Sequence, residues 1–140
     1  WDPQPQIRME LPGGATSRRV LLMDDQETVR VIGARMLQHL GHQVECAADG
    51  AQAVEMYRQA LAAGAPFDAV IMDLNVSEGV GGLEALRAIR ECDPQARVIV
   101  CSGYFSEPVM AEHARYGFDG VIVKPFQLKD LKAALEKALK

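Results

Sequence analysis

Residues 70–82 read "VIMDLNVSEGVGG": an apolar run, an aspartate, then a polar loop carrying Gly79, Gly81 and Gly82. An unbroken run rich in β-branched residues is the mark of a strand buried on both faces of a parallel sheet. Its ending on Asp73 puts a carboxylate at the edge of that sheet. Outward along the chain, "RRVLLM" (core 19–23), "HQVECA" (42–47), the full "FDAVIM" (67–72), "ARVIVC" (96–101) and "GVIV" (120–123) are all strand-sized, and four of these five are continuous rather than alternating. Helix-length segments lie between and after them, near 26–40, 50–63, 82–92, 106–116 and 127–139. Val29, Ile32, Met36, Leu37 and Leu40 make an apolar stripe at helical spacing in the first, and Leu128, Leu131, Leu135 and Leu139 do so in the last. Gly41 and Gly64 fall at expected helix C-termini, Asp49 and Ser106 at expected N-caps. Strand–helix alternation repeated five times predicts an α/β doubly wound fold with a five-stranded parallel sheet.

The 140 residues, 49% hydrophobic and 24% charged, suit one domain with a substantial core. A net charge of -4 with no long run of one sign offers no electrostatic footprint for nucleic acid or an anionic membrane. Cys46, Cys92 and Cys101 form no C-x-x-C pair, which disfavours a disulfide framework or a zinc knuckle and suggests a reducing, cytoplasmic setting. No apolar stretch reaches the roughly 18 residues that span a bilayer, and no signal-peptide pattern opens the chain, so no direct membrane contact is expected. Residues 1–17, "WDPQPQIRMELPGGATS", hold three prolines and two adjacent glycines and are expected to be a linker or tail before a domain spanning 18–140.

Four of the buried runs give way to polar residues: Asp24 and Asp25 after "VLLM", Asp73 after "VIM", Ser102 after "VIVC", Lys124 after "VIV". Ligands of open parallel sheets bind outside the carboxyl ends of the strands, so these groups are expected to share one pocket. Three crowded carboxylates raise a pKa or recruit a cation, and all-oxygen ligation suits Mg2+. Lys124 and the Ser102 hydroxyl would complement phosphoryl oxygens, and Asp73, on the middle strand, is placed as a nucleophile that forms an aspartyl phosphate. Each residue alone has a plainer reading: an Asp after a strand serves equally as a turn residue or a helix cap, and Asp25 is a candidate cap for the next helix. Ser-Gly is an ordinary loop start, and Lys124 would pass as a solvated loop lysine. The conjunction, in order, each at the end of its own strand, carries the weight.

Asp24-Asp25, Asp73, Ser102 and Lys124-Pro125 together resemble the motif set of response-regulator receiver domains over about residues 18–140. The resemblance implies a flavodoxin-like sheet of order 2-1-3-4-5 with five helices, and Asp73 as phosphoacceptor. It implies Mg2+ held by Asp25, Asp73 and the Asn75 backbone carbonyl, with Asp24 assisting through water. It further implies that Ser102 and Lys124 bind the phosphoryl group, that Lys124-Pro125 is cis, and that the donor is a phosphohistidine of a histidine kinase dimerisation/phosphotransfer domain or a histidine phosphotransfer protein.

Three positions depart from the commonest receiver pattern. Val121 stands where the family often carries an aromatic switch residue, Ser77 replaces a usual proline in a loop about one residue longer, and Gln26 replaces a frequent Glu. The long glycine loop and the stretch "CSGYFSEPVMAEHARYGFDGVIVKPF" look like receivers attached to hybrid sensor histidine kinases. "QIRMELPGG" resembles the closing strand of a kinase ATP-binding domain. A stand-alone response regulator is the alternative within the family. Outside it, an aspartyl-phosphate-type phosphatase needs an acid where Asn75 stands, and a flavodoxin-like cofactor binder needs a Thr/Ser/Gly-rich loop where this chain has "DDQET". His39 and His42 read as helix-end cations, the six methionines mostly as core filler, and Tyr104 as a neighbour of the pocket mouth.

Overall fold

The computed structural model describes residues 17–74, 81–103 and 108–139. Strands β1 (Arg19–Met23), β2 (Gln43–Ala47), β3 (Ala69–Asp73), β4 (Val98–Ser102) and β5 (Gly120–Val123) alternate with helices α1 (Glu27–His39), α2 (Gly50–Ala62), α3 (Gly82–Cys92), α4 (Pro108–Ala111) and α5 (Leu128–Ala138). All strand pairs are parallel, in the order β2-β1-β3-β4-β5. The expected doubly wound architecture is therefore present.

The strand pleat divides the core in two. Leu21, Met23, Val70, Met72, Val98 and Val100 point to one side, where they pack with Tyr57, Leu86 and Ile89 of α2 and α3. Val20, Leu22, Ile71, Ile99 and Ile122 point to the other, against Leu37 of α1 and Leu131 and Leu135 of α5. All five residues of β3 and of β4 are buried, because both faces of the sheet's interior are covered. Each fully buried aliphatic side chain contributes about 1.5–3 kcal/mol. β2, at the edge, alternates instead.

The helix ends follow sequence chemistry. Asp49 caps α2 by accepting a hydrogen bond from Gln52 N–H at 2.9 Å. Gly41 and Gly64 take positive φ, 94° and 77°, one residue past the C-caps Leu40 and Ala63. Tyr57 donates its hydroxyl proton to Asp93 at 2.6 Å, tying α2 to the C-cap of α3.

Three expectations need correction. Ile32 is 47% exposed rather than part of the core stripe. The residue that meets the sheet is its neighbour Gly33, whose Cβ position lies 2.8 Å from a Leu22 methyl, and one step along a helix turns Ile32 about 100° away. The helix expected over 106–116 is a single turn, Pro108–Ala111, followed by tight i→i+3 bonds such as Tyr116 N–H to His113 O at 3.1 Å. Between Met110 and Phe118, both buried, stand residues that are small or polar apart from the exposed Tyr116, with no apolar stripe to hold a longer helix on the sheet. The Ser106 cap lies outside the described residues. His42 is no helix-end cation: its Nδ1 accepts a hydrogen bond from Arg18 N–H at 3.1 Å, which requires that nitrogen to be unprotonated.

Candidate functional site

The carboxyl ends of β1, β3, β4 and β5 bring the predicted polar residues to one edge. Asp24, Asp25 and Asp73 each present a carboxylate oxygen within 4.8 Å of the others. Asp24, Asp73 and Ser102 are almost wholly buried, at 2%, 4% and 1% exposure, so three polar side chains lie at the edge of an apolar core. Lys124 reaches into the cluster from beyond β5. Its Nζ donates to Asp24 Oδ2 at 2.6 Å and stands 3.4 Å from Asp73 Oδ1.

Local backbone chemistry explains why these side chains converge. The parallel pairing continues past the strands: Asp24 N–H donates to Ala47 O, Leu74 N–H to Cys101 O and Lys124 N–H to Ser102 O, at 3.1, 2.9 and 2.9 Å. The Lys124-Pro125 peptide is cis. Gln26 is the α1 N-cap residue, with no side-chain cap hydrogen bond, and its own N–H donates to the Asp24 carboxylate at 2.9 Å. Each oxygen of Asp24 therefore already accepts one hydrogen bond, one from Gln26 and one from Lys124.

Burial alone would pull the Lys124 ammonium down. The hydrogen bond to Asp24 and the charges of Asp73 and Asp24 outweigh it, and its pKa lies above the ordinary lysine value. Three clustered carboxylates facing one ammonium leave an excess of negative charge, and an all-oxygen donor set of this kind fits a hard divalent cation such as Mg2+. Asp24, Asp25 and Asp73 are the residues here that could hold it. Asn75, Ser77 and Tyr104 lie outside the described residues.

Two features escaped the reading of the sequence. Arg30, at the end of the first turn of α1, donates from its guanidinium to the Asp24 backbone carbonyl at 2.8 Å. Gly81 and Gly82 let the start of α3 sit on the end of β3, where a Cβ on Gly82 would lie 2.8 Å from the Asp73 carbonyl oxygen. The glycine pair was visible in the sequence as loop composition, whereas the closeness of the two backbones was not.

Comparison with known proteins converges on one family. The sequence pattern described as "Response regulator receiver domain" matches residues 20–136. The chemotaxis protein CheY of Bacillus subtilis is 35% identical over 124 residues, covering 88% of this chain and 98% of that protein. The sensor kinase CckA of Brucella abortus is 35% identical over 134 residues, which cover 93% of this chain but 13% of the kinase. Among solved structures, the response regulator protein TrrA of Thermotoga maritima, in complex with Mg(2+)-BeF, aligns with a TM-score of 0.74 at 26% identity, covering 87% of this chain and 99% of that one.

Proposed function

Because the chain belongs to the response-regulator receiver domains of two-component systems, we propose that it takes a phosphoryl group from a phosphohistidine onto Asp73 in a phosphorelay. The observation that carries this reading is the buried Asp73 carboxylate, one oxygen 3.4 Å from the Lys124 ammonium, beside two further carboxylates. An Asp73 oxygen attacks phosphorus, the P–N bond to the donor imidazole breaks, and the imidazole leaves with the bonding electron pair and takes a proton. The product is an acyl phosphate on Asp73. Lys124 changes partners in this step: its ammonium, shared between Asp24 and Asp73, turns to the phosphoryl oxygens, and the buried Ser102 hydroxyl donates to another. Asp25, Asp73 and the Asn75 carbonyl would hold Mg2+, with Asp24 assisting through water, and the ion would supply charge that neutralises the carboxylates and the transferred group.

Two observations support a hybrid sensor histidine kinase as the parent protein: the likeness to a small part of CckA, and the "QIRMELPGG" stretch within residues 1–17, the proposed linker from an ATP-binding domain. The near-complete match to CheY favours a stand-alone regulator as the second reading. No helix among the described residues is long and apolar enough to cross a membrane. We place the domain in the cytoplasm, where its donor is a histidine kinase dimerisation/phosphotransfer domain, in the same chain or another, or a histidine phosphotransfer protein.

Incubation with acetyl phosphate and Mg2+ tests the chemistry. The wild type should gain one alkali-labile phosphoryl group by mass spectrometry, and Asp73→Asn should gain none. A wild type that accepts phosphate neither from acetyl phosphate nor from a phosphohistidine donor overturns the reading.

A further inference from the structure

Arg30 takes no part in the phosphoryl transfer described above, yet its guanidinium is committed to the site. It lies half-buried on α1 and donates to the backbone carbonyl of Asp24, six residues earlier, at 2.8 Å. Its own N–H closes the first helical turn on Gln26 O at 3.1 Å. Asp24 is thereby held at every polar atom: N–H by Ala47 O, Oδ1 by Gln26 N–H, Oδ2 by Lys124 and the carbonyl by Arg30. The last of these contacts is distinct in kind. The Asp24 carbonyl belongs to the peptide plane that joins Asp24 to Asp25, so fixing that oxygen fixes the plane from which the two neighbouring carboxylates depart.

Resting on the functional reading above, we propose that Arg30 is a positioning residue. It sets the orientation of the Asp24–Asp25 peptide so that both carboxylates face Asp73 with the spacing a divalent cation needs. Its target is a carbonyl, so it competes with neither the cation nor Lys124 for the carboxylate oxygens. A charged donor on a buried carbonyl is also a stronger tether than a neutral one. Groups that orient metal ligands from outside typically change metal affinity by about 10–100-fold when removed.

An opposing effect makes the test decisive in sign. A guanidinium beside a cation site repels the cation, so if Arg30 acted by charge alone its removal would tighten Mg2+ binding. If it acts by positioning, removal weakens binding. Titration of wild type and Arg30→Ala with Mg2+ alone, followed by the backbone amide resonances of Asp25 and Gln26, should show affinity lowered by about tenfold or more. Acetyl phosphate labelling of Arg30→Ala should be slow at low Mg2+ and recover toward the wild-type rate as Mg2+ approaches saturation. Unchanged or tighter Mg2+ binding, or a labelling defect equal at all Mg2+ concentrations, overturns the assignment. Should Arg30→Ala fail to give a folded amide spectrum, Arg30→Lys carries the same test, since it keeps the charge and the helix but not the planar donor fork. A wild type that binds Mg2+ but takes no phosphoryl group would sink the functional reading and leave the Arg30 comparison standing on its Mg2+ arm.

Discussion

Gly82 shows how little room surrounds Asp73. A Cβ there would stand 2.8 Å from the Asp73 carbonyl oxygen and 3.3 Å from Leu74 Cα, and one on Gly81 would stand 2.9 Å from the Leu74 carbonyl oxygen. Gly81 has an ordinary φ of -87°, so clearance and not left-handed backbone is what this pair provides. The obstructing atoms are main chain and cannot rotate aside as a side-chain end can. Gly82→Ala must therefore push α3 away from β3 or shift the Asp73 backbone. The expected cost is about 1–3 kcal/mol of stability in urea unfolding, together with slower acetyl phosphate labelling. Gly103, also beside the site, has nothing among the described residues within 4 Å of its Cβ position. Gly103→Ala should stay within about 0.5 kcal/mol of wild type, which separates crowding from a general intolerance of this edge.

At the scale of elements, α1 has an inner and an outer role. Arg30 turns inward to the site, while Val31 and Ile32 are 44% and 47% exposed on the helix that starts beside it. Should the proposed phosphohistidine donor dock on this face, the two side chains become buried interface anchors, each contributing on the order of 1–2 kcal/mol or more. Ile32→Glu should therefore slow phosphotransfer from a phosphohistidine donor by about tenfold, while acetyl phosphate labelling and urea stability stay near wild type. Equal transfer rates from the protein donor would exclude this face from docking. The same helix marks the limit of what is legible in the sequence. β3 and β4 are legible because cover on both faces forces unbroken apolar runs, and the site is legible because each such run stops at a charged or hydroxyl residue. Ile32 is misread because an apolar stripe wider than the contact gives no sign of which member meets the sheet; the small Gly33 does. α4 is misread because hydrogen-bonded turns and a weak helix look alike in a polar stretch. The reach of Arg30 to Asp24 O is illegible in principle, since a side chain bound to a backbone carbonyl leaves no partner residue type to find.

Across the whole molecule, the two ends of the sheet are held differently. The carboxyl edge gathers three carboxylates and Lys124 into one cluster, whereas at the amino edge side chains take up the backbone groups that enter the strands. There Ser17 Oγ donates to Gly41 O at 2.8 Å, Arg18 N–H to His42 Nδ1 at 3.1 Å and Arg19 N–H to Asp68 Oδ2 at 2.8 Å. His42 ties the entrance of β1 to the turn between α1 and β2 only while Nδ1 is bare. Burial lowers its pKa below the ordinary 6.5, the Arg18 charge lowers it further, and Asp68 opposes both without reversing them. In the window just below 6.5 the unfolded chain holds a proton that the folded chain does not, so stability rises with pH there. The contribution is complete above the unfolded value and is lost as pH falls through the folded one. His42→Asn keeps an acceptor near the Nδ1 position without a titrating group. Urea midpoints taken from about pH 7.5 down to about pH 5 should fall less steeply for this variant than for wild type, the difference amounting to a fraction of one proton. Parallel curves would show that the imidazole is not the acceptor. Because His42 lies at the edge opposite Asp73, the variant should label with acetyl phosphate at the wild-type rate at neutral pH, so that acid sensitivity of the fold and reactivity of the site separate in one protein.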